Sequence, residues 1–173
     1  LSAQKALEVA ATELIAEMAA DVDVLDVATP VALTTSNILA KMQEAYETMS
    51  DVMVAATYGN ADREYKPAFF MSTNAVQLYQ IAIANLYTTS PQGVIEGSIP
   101  AYYGMEVIAF DSLGADKFFV SAPDNIVMLT DDYNDVRAID MKYEAELSSD
   151  KIWGQFKLGF SYLKGSEIVL YNA

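Results

Sequence analysis

From Val136 to Leu163 the chain reads VRAIDMKYEAELSSDKIWGQFKLGFSYL, two runs in which apolar and polar positions alternate. In the first, Ile139, Met141, Tyr143, Ala145 and Leu147 share one parity, and Asp140, Lys142, Glu144 and Glu146 share the other. In the second, Ile152, Phe156, Leu158, Phe160 and Tyr162 alternate with Gln155, Lys157, Gly159 and Ser161. A period of two sends successive side chains to opposite faces of a strand, so the runs predict a long hairpin turning at Ser148, Ser149, Asp150 and Lys151. Each arm, about 12 residues, would extend roughly 40 Å at ~3.3 Å per residue. A compact domain of this length is itself only about 40 Å across, and a free two-stranded ribbon is marginal in water. The ribbon therefore needs a cover, either a helix of the same chain or a neighbouring molecule.

Helical spacing appears earlier. Leu7, Ala11, Leu14, Ile15 and Met18 predict a helix over residues 2–20, with Ser2 as its cap. Ile38, Met42, Ala45, Tyr46 and Met49 predict a second in TTSNILAKMQEAYETM, capped near Thr35 or Ser36. PAFFMST reads as a short strand, after which Thr73 or Asn74 caps a third helix, NAVQLYQIAIANLY. Residues 58–67 are polar and loop-like, and 88–100, with Pro91, Gly93, Gly97 and Pro100, carry the richest turn chemistry. GMEVIAF, FFVSAP, NIVMLT and the terminal SEIVLYNA complete the strands. Helices and strands mix without a βαβ alternation, so the expected class is α+β.

The 173 residues suit one domain with an elongated appendage, and 53% apolar content is ample for a core. The chain has no cysteine and no histidine, which removes disulfides, thiolate metal sites and the commonest general base. A net charge of −14 argues against a tight grip on nucleic-acid phosphates, because that affinity comes from Lys and Arg. No apolar run approaches the ~18 residues of a membrane span, and no basic-then-apolar leader is present. The first residue is Leu1, which suggests a fragment or a processed product.

Candidate chemistry is sparse. Asp131, Asp132, Asn134 and Asp135 suggest a calcium loop, but the positions that should hold glycine and a bidentate glutamate are Val136 and Lys142, so the stretch reads as a solvated turn. Asp140, Glu144 and Glu146 have the spacing of an acid/base pair for glycoside hydrolysis; a charged outer strand face has the same spacing. Gly93, Gly97 and Gly104 form no phosphate-binding motif. Met71, Met105, Met128 and Met141 fit an adaptable binding surface or ordinary core packing. No catalytic, cofactor-binding or metal-binding residue is assigned, and no cofactor is expected.

In order, the segments from Thr34 to Ala173 resemble the major capsid protein of tailed bacteriophages, the Hong Kong 97-like shell fold. The resemblance rests on the succession TSNILAKMQEAYETM, PAFFMST, NAVQLYQIAIANL, GSIPAYYGMEVIAF, FFVSAPDNIVMLTDD, the long hairpin and EIVLYNA. It implies an axial domain gathering at five-fold and six-fold axes and an elongated peripheral domain of helix and β hairpin. Residues 1–22 would be the helix leading into the peripheral region, 23–135 the axial domain, 136–165 the peripheral hairpin and 166–173 a strand returning to the axial sheet. Subunit contacts would then fall at the hairpin tip, Ser148, Ser149, Asp150 and Lys151, and at the axial loop, Ser90, Pro91, Gln92 and Gly93. The family implies homo-oligomers, pentamers and hexamers of the full-length protein, with scaffolding and portal proteins as further partners and DNA enclosed without tight binding. It implies no membrane, a virion location after assembly in the bacterial cytoplasm, and no enzymatic activity. The family's N-terminal arm and extended loop are absent from these residues, so no cross-link residue is carried over.

Three alternatives stand beside the capsid reading. An encapsulin-type nanocompartment shell shares the fold and differs in its contents. A glycosidase-like enzyme would need two carboxyls with pKa values pushed apart in a concave site. A ligand-binding module would need the tyrosines of PAYYG to form an exposed patch.

Overall fold

The computed structural model describes residues 3–27, 30–59, 66–86, 99–130, 139–144, 149–154 and 158–173. Helix α1 (Ala3–Ala20) buries Ala10, Ala11, Leu14, Ile15 and Met18, while Leu7 and Val9 at its start are exposed. β1 (Leu25–Asp26), a two-residue strand, follows. α2 (Ile38–Thr48) is entered through Asn37 rather than Thr35 or Ser36; the Asn37 side chain accepts the Thr34 N–H at 2.7 Å and donates to the Ala32 carbonyl at 2.9 Å. After Met49 leaves helical geometry, α3 (Asp51–Thr57) adds a short helix that the sequence pattern did not mark.

β2 (Ala68–Met71) feeds α4 (Thr73–Leu86), and the cap is Ser72, one residue before Thr73, its hydroxyl accepting the Ala75 N–H at 3.2 Å. Then come β3 (Val107–Ala109), β4 (Lys117–Ser121), β5 (Ile126–Thr130), β6 (Ile139–Glu144), β7 (Ser149–Gly154), β8 (Leu158–Tyr162) and β9 (Val169–Asn172). The class is α+β, as expected, built on a mixed five-stranded sheet in the order β1-β9-β4-β2-β3. β9, expected to return to the main sheet, lies between β1 and β4, parallel to the first and antiparallel to the second.

This sheet has apolar side chains on both faces, which explains why its strands read as near-continuous apolar runs. Phe69, Met71, Phe118, Val120, Val169 and Tyr171 enter a core with Ile38, Met42, Met53 and Tyr79 of the helices α2, α3 and α4. Phe119, Ile168 and Leu170 enter a second core with Leu14, Ile15 and Met18 of α1. Each face carries a stacked cross-strand aromatic pair, Phe118 on Tyr171 at 4.7 Å and Phe70 on Phe119 at 4.8 Å. The sheet is thus the middle of three layers, with α1 as the helix on its second side.

The second core also answers what covers the ribbon's root. β5 pairs antiparallel with β8, from Ile126 opposite Tyr162 to Thr130 opposite Leu158. Ile126, Phe160 and Tyr162 pack onto the core built by α1, and Phe110 meets Phe160 edge-on at 5.6 Å. β5, which the sequence reading leaves ahead of the hairpin, therefore belongs by pairing to the ribbon.

Farther along, β6 pairs with β7, from Ile139 opposite Gly154 to Glu144 opposite Ser149. This corrects the turn expected at Ser148, Ser149, Asp150 and Lys151. Ser149, Asp150 and Lys151 lie in β7, opposite Glu144, Tyr143 and Lys142, and Ser148 falls outside the described residues with the rest of the connecting segment 145–148. The physical reason is that alternation fixes only the parity of a register. Pairing Leu147 with Ile152 and pairing Met141 with Ile152 keep the same residues on the apolar face, so the face pattern could not choose between the two turns.

Candidate assembly surfaces

The chain leaves the sheet after β4 and re-enters it before β9, and one buried residue ties the two crossings together. Pro123, Asp124 and Asn125 form a single 3-10 turn that ends β4 and starts β5. Asn125 is 4% exposed. Its amide donates to Ser121 Oγ at 3.0 Å and to the Lys164 carbonyl at 3.0 Å, and its side-chain oxygen accepts the Lys164 N–H at 2.9 Å. Ser121 in turn donates to the Glu167 carbonyl at 3.2 Å, and the Leu163 N–H reaches the Asn125 carbonyl at 3.0 Å. Every polar atom of the Asn125 side chain is engaged, which is what a buried amide requires.

Next to this clasp is a depression of about 130 Å³ lined by Asp124, Asn125, Leu163, Lys164 and Glu167. At about 30 Å³ per water it has room for a few solvent molecules and no sizeable ligand. Its Glu167 carboxylate is bridged by Lys164 at 3.2 Å.

The end of α1 grips the same region from the other side. Tyr162 donates its hydroxyl to Asp21 Oδ2 at 2.7 Å, and Ser161 donates to Glu17 at 3.2 Å. Asp21 also accepts the Asp23 N–H at 3.0 Å. That backbone bond, then the Tyr162 hydroxyl, hold the Asp21 carboxyl below its ordinary range. Burial, then the bond to Asp21, push the Tyr162 phenol well above its own. Gly165 passes so close that a Cβ there would stand 2.6 Å from Asp21 Oδ2.

A second surface gathers tyrosines at the start of β3. Tyr102 and Met105 exchange backbone hydrogen bonds, both 2.9 Å, across a two-residue turn of Tyr103 and Gly104. Both turn residues have positive φ, +48° and +76°. Gly104 adopts this freely, whereas for a tyrosine the left-handed region costs roughly 1–2 kcal/mol. The Tyr103 ring stacks on Tyr46 of α2 at 4.6 Å and meets Tyr102 edge-on at 4.8 Å. Tyr46 shares a 2.9 Å hydroxyl contact with Tyr58, and that bond, with burial behind it, raises the Tyr46 phenol. Tyr102 lies deeper, against Phe69 and Tyr79, its hydroxyl donating to the Leu39 carbonyl at 3.1 Å; burial pushes it up to about 12. Of the PAYYG pair, then, Tyr102 is a packing residue and Tyr103, 51% exposed, faces outward.

The remaining sequence candidates separate in the same way. Met71 and Met105 are fully buried core residues, and Met128 is exposed at the ribbon. Asp140, Lys142 and Glu144 lie in β6, while Glu146 lies outside the described residues, as do the axial-loop residues Ser90, Pro91, Gln92 and Gly93 and the stretch 131–135. Among the described residues no group of three or more acidic side chains is placed to hold a metal ion, and no helix is long and apolar enough to cross a membrane. Sequence reasoning missed Asn125 because a lone asparagine between two strands carries no pattern. The signal available was the dipeptide Pro123-Asp124 before it, a turn former between two apolar runs.

The sequence matches no known family profile, and no curated protein matches it. A solved chain from Mycobacterium phage Che8 has a similar fold, with a TM-score of 0.62 at 11% identity, covering 95% of this chain and 57% of that one. At that identity the likeness is one of fold, and this chain spans little more than half the length of the phage chain. The fold is thus one that a phage protein also adopts.

Proposed function

We propose that this chain is a shell subunit, the major capsid protein of a tailed phage or prophage, with the Hong Kong 97-like fold. The observation that carries the reading is the helix-backed ribbon that leaves the five-stranded sheet after β4 and returns to it at β9, with α1 beneath both the sheet and the ribbon root. The five-stranded sheet with α2, α3 and α4 corresponds to an axial domain, and α1 with the ribbon to a peripheral one. The phage origin of the structurally similar chain favours a capsid over an encapsulin-type compartment.

In this reading the protein is not an enzyme, and its function is self-association into pentamers and hexamers that close an icosahedral shell. β6 and β7 pair with each other, and because a two-stranded ribbon is marginal in water a neighbouring subunit is the natural cover for that part of it. Contacts are assigned to Ser148, Ser149, Asp150 and Lys151 of the hairpin, and to Ser90, Pro91, Gln92 and Gly93 of the axial loop. The net charge of −14 suits a container that encloses DNA without gripping it. The test is negative-stain electron microscopy of the full-length gene product expressed alone. Closed shells, tubes or capsomer-sized rings are the expected result; a persistent monomer at high concentration overturns the proposal. Cargo enzyme rather than DNA inside particles from the native host would select the encapsulin alternative.

A further inference from the structure

Tyr46 and Tyr58 bring two phenol oxygens within 2.9 Å of each other, and the local backbone explains how. Tyr46 lies in the last turn of α2 and packs in part against the core. The helix ends at Thr48, and Met49 and Ser50 take extended ψ values of 141° and 156°, which turn the chain before α3 begins. Tyr58 is the residue that ends α3, and it is 64% exposed. Two helices and one bend therefore set the pair, at a place that small molecules in solution can reach.

The Tyr46 ring is steadied by its other neighbours. It stacks on Tyr103 at 4.6 Å, Tyr103 meets Tyr102 at 4.8 Å, and Tyr102 meets the buried Tyr79 at 6.1 Å. Tyr79, Tyr102, Tyr103, Tyr46 and Tyr58 thus form a line of touching side chains from the core to the surface.

Such contact matters for one-electron chemistry. A phenol that loses an electron and its proton becomes a phenoxyl radical, with the unpaired spin shared between the oxygen and the two ring carbons ortho to it. Two such radicals combine carbon to carbon when their ortho positions are neighbours. In Tyr46 and Tyr58 each ortho carbon is one carbon removed from the oxygen that makes the 2.9 Å contact. Cysteine thiolates would ordinarily intercept the oxidant, and this chain has no cysteine.

We propose that Tyr46 and Tyr58 form an oxidative modification site, at which one-electron oxidants couple the two phenols into a dityrosine that staples α2 to the end of α3. Each ring gives up one electron and its hydroxyl proton. The two radicals then join Cε to Cε, and the hydrogen on each joined carbon transfers to the oxygen of its ring, restoring both phenols. The net loss is two electrons and two protons, so two equivalents of oxidant are consumed and the protein becomes two hydrogens lighter. The site goes beyond the shell-subunit reading and does not depend on it.

The experiment illuminates dilute protein briefly with a ruthenium(II) polypyridyl sensitiser and persulfate, which takes up the two electrons and leaves as two sulfates. Dityrosine is read by its fluorescence and located by mass spectrometry of the digested protein, for wild type, for Tyr58→Phe and for wild type in urea. The expected main product is a link between Tyr46 and Tyr58 within one chain. It should be absent from Tyr58→Phe, which loses only a surface hydroxyl. Its yield should fall about tenfold or more in urea, because proximity and not intrinsic reactivity selects the pair. Dityrosine formed mainly between other tyrosines or between two copies, an equal yield in urea, or undiminished fluorescence in Tyr58→Phe overturns the inference.

Discussion

Replacing Asn125 with alanine removes three hydrogen bonds without touching either hydrophobic core. The amide gives two, to Ser121 Oγ and the Lys164 carbonyl, and takes one from the Lys164 N–H. A hydrogen bond contributes about 1 kcal/mol net, and a buried partner left unpaired costs about 1–3 kcal/mol. Ser121 retains its bond to the Glu167 carbonyl, and water can reach the adjoining depression, so the Lys164 backbone bears most of the loss. The sum is about 3 kcal/mol, a large share of the ~5–15 kcal/mol that holds an ordinary domain together. Urea unfolding should show a lower midpoint with an unchanged slope. Native-state hydrogen exchange should show lost protection at Leu163 and Lys164, where the ribbon re-enters the sheet, and retained protection at Phe118, Phe119 and Val120. Asn125→Asp should be no better, since it sets a carboxylate against the Lys164 carbonyl. A cost below about 1 kcal/mol, or an exchange profile lowered uniformly, would refute the clasp and make Asn125 one solvated polar group among several.

Two further predictions concern the grip of α1 on the ribbon root. Gly165→Ala places a methyl carbon 2.6 Å from Asp21 Oδ2, so the carboxylate must swing away from Tyr162; the loss should be smaller than that of Asn125→Ala, and in a double-mutant cycle it should overlap with that of Tyr162→Phe. Additive losses would mean that the methyl group strains the backbone instead. The pH dependence has two arms. Asp21 has a lowered pKa, so its contribution is present above the unfolded value of 3.8 and is lost as pH falls through the folded value. Tyr162 has a raised pKa, so its contribution is complete below 10 and is lost as pH rises beyond it. Thermal melts across pH should show both losses, with the alkaline one abolished and the acid one reduced in Tyr162→Phe; an unchanged acid arm in that variant would refute the Asp21–Tyr162 contact.

Much of the fold was legible because burial writes periodicity into sequence. Ala11, Leu14, Ile15 and Met18 on α1, and Ile38, Met42 and Ala45 on α2, are buried as their spacing requires. Leu7 failed because spacing says which side of the helix a residue takes and not whether anything packs there. α3 escaped notice because seven residues give too few turns for a period to show. The capping residues were misplaced by one or two positions because several Ser, Thr and Asn neighbours compete and only the backbone decides which oxygen reaches an N–H.

The candidate surfaces were legible in a different sense. The long alternating run announced a ribbon in need of cover, and α1 supplies that cover for β5 and β8 through Leu14, Ile15 and Met18. What the run could not announce is that a single helix serves two partners. The same apolar side of α1 that backs Phe119 and Leu170 of the main sheet also backs Phe160 and Tyr162 of the ribbon. Sheet and ribbon are therefore coupled through one layer of side chains. A neighbouring molecule that engaged the ribbon would press on α1 and, through it, on the second face of the sheet. Cutting that path without removing the ribbon is what Asn125→Ala and Tyr162→Phe are suited to do, one at the clasp and the other at the helix. If assembly is sensed through this layer, both variants should still present the β6–β7 surface and yet assemble less well than their stability alone would dictate.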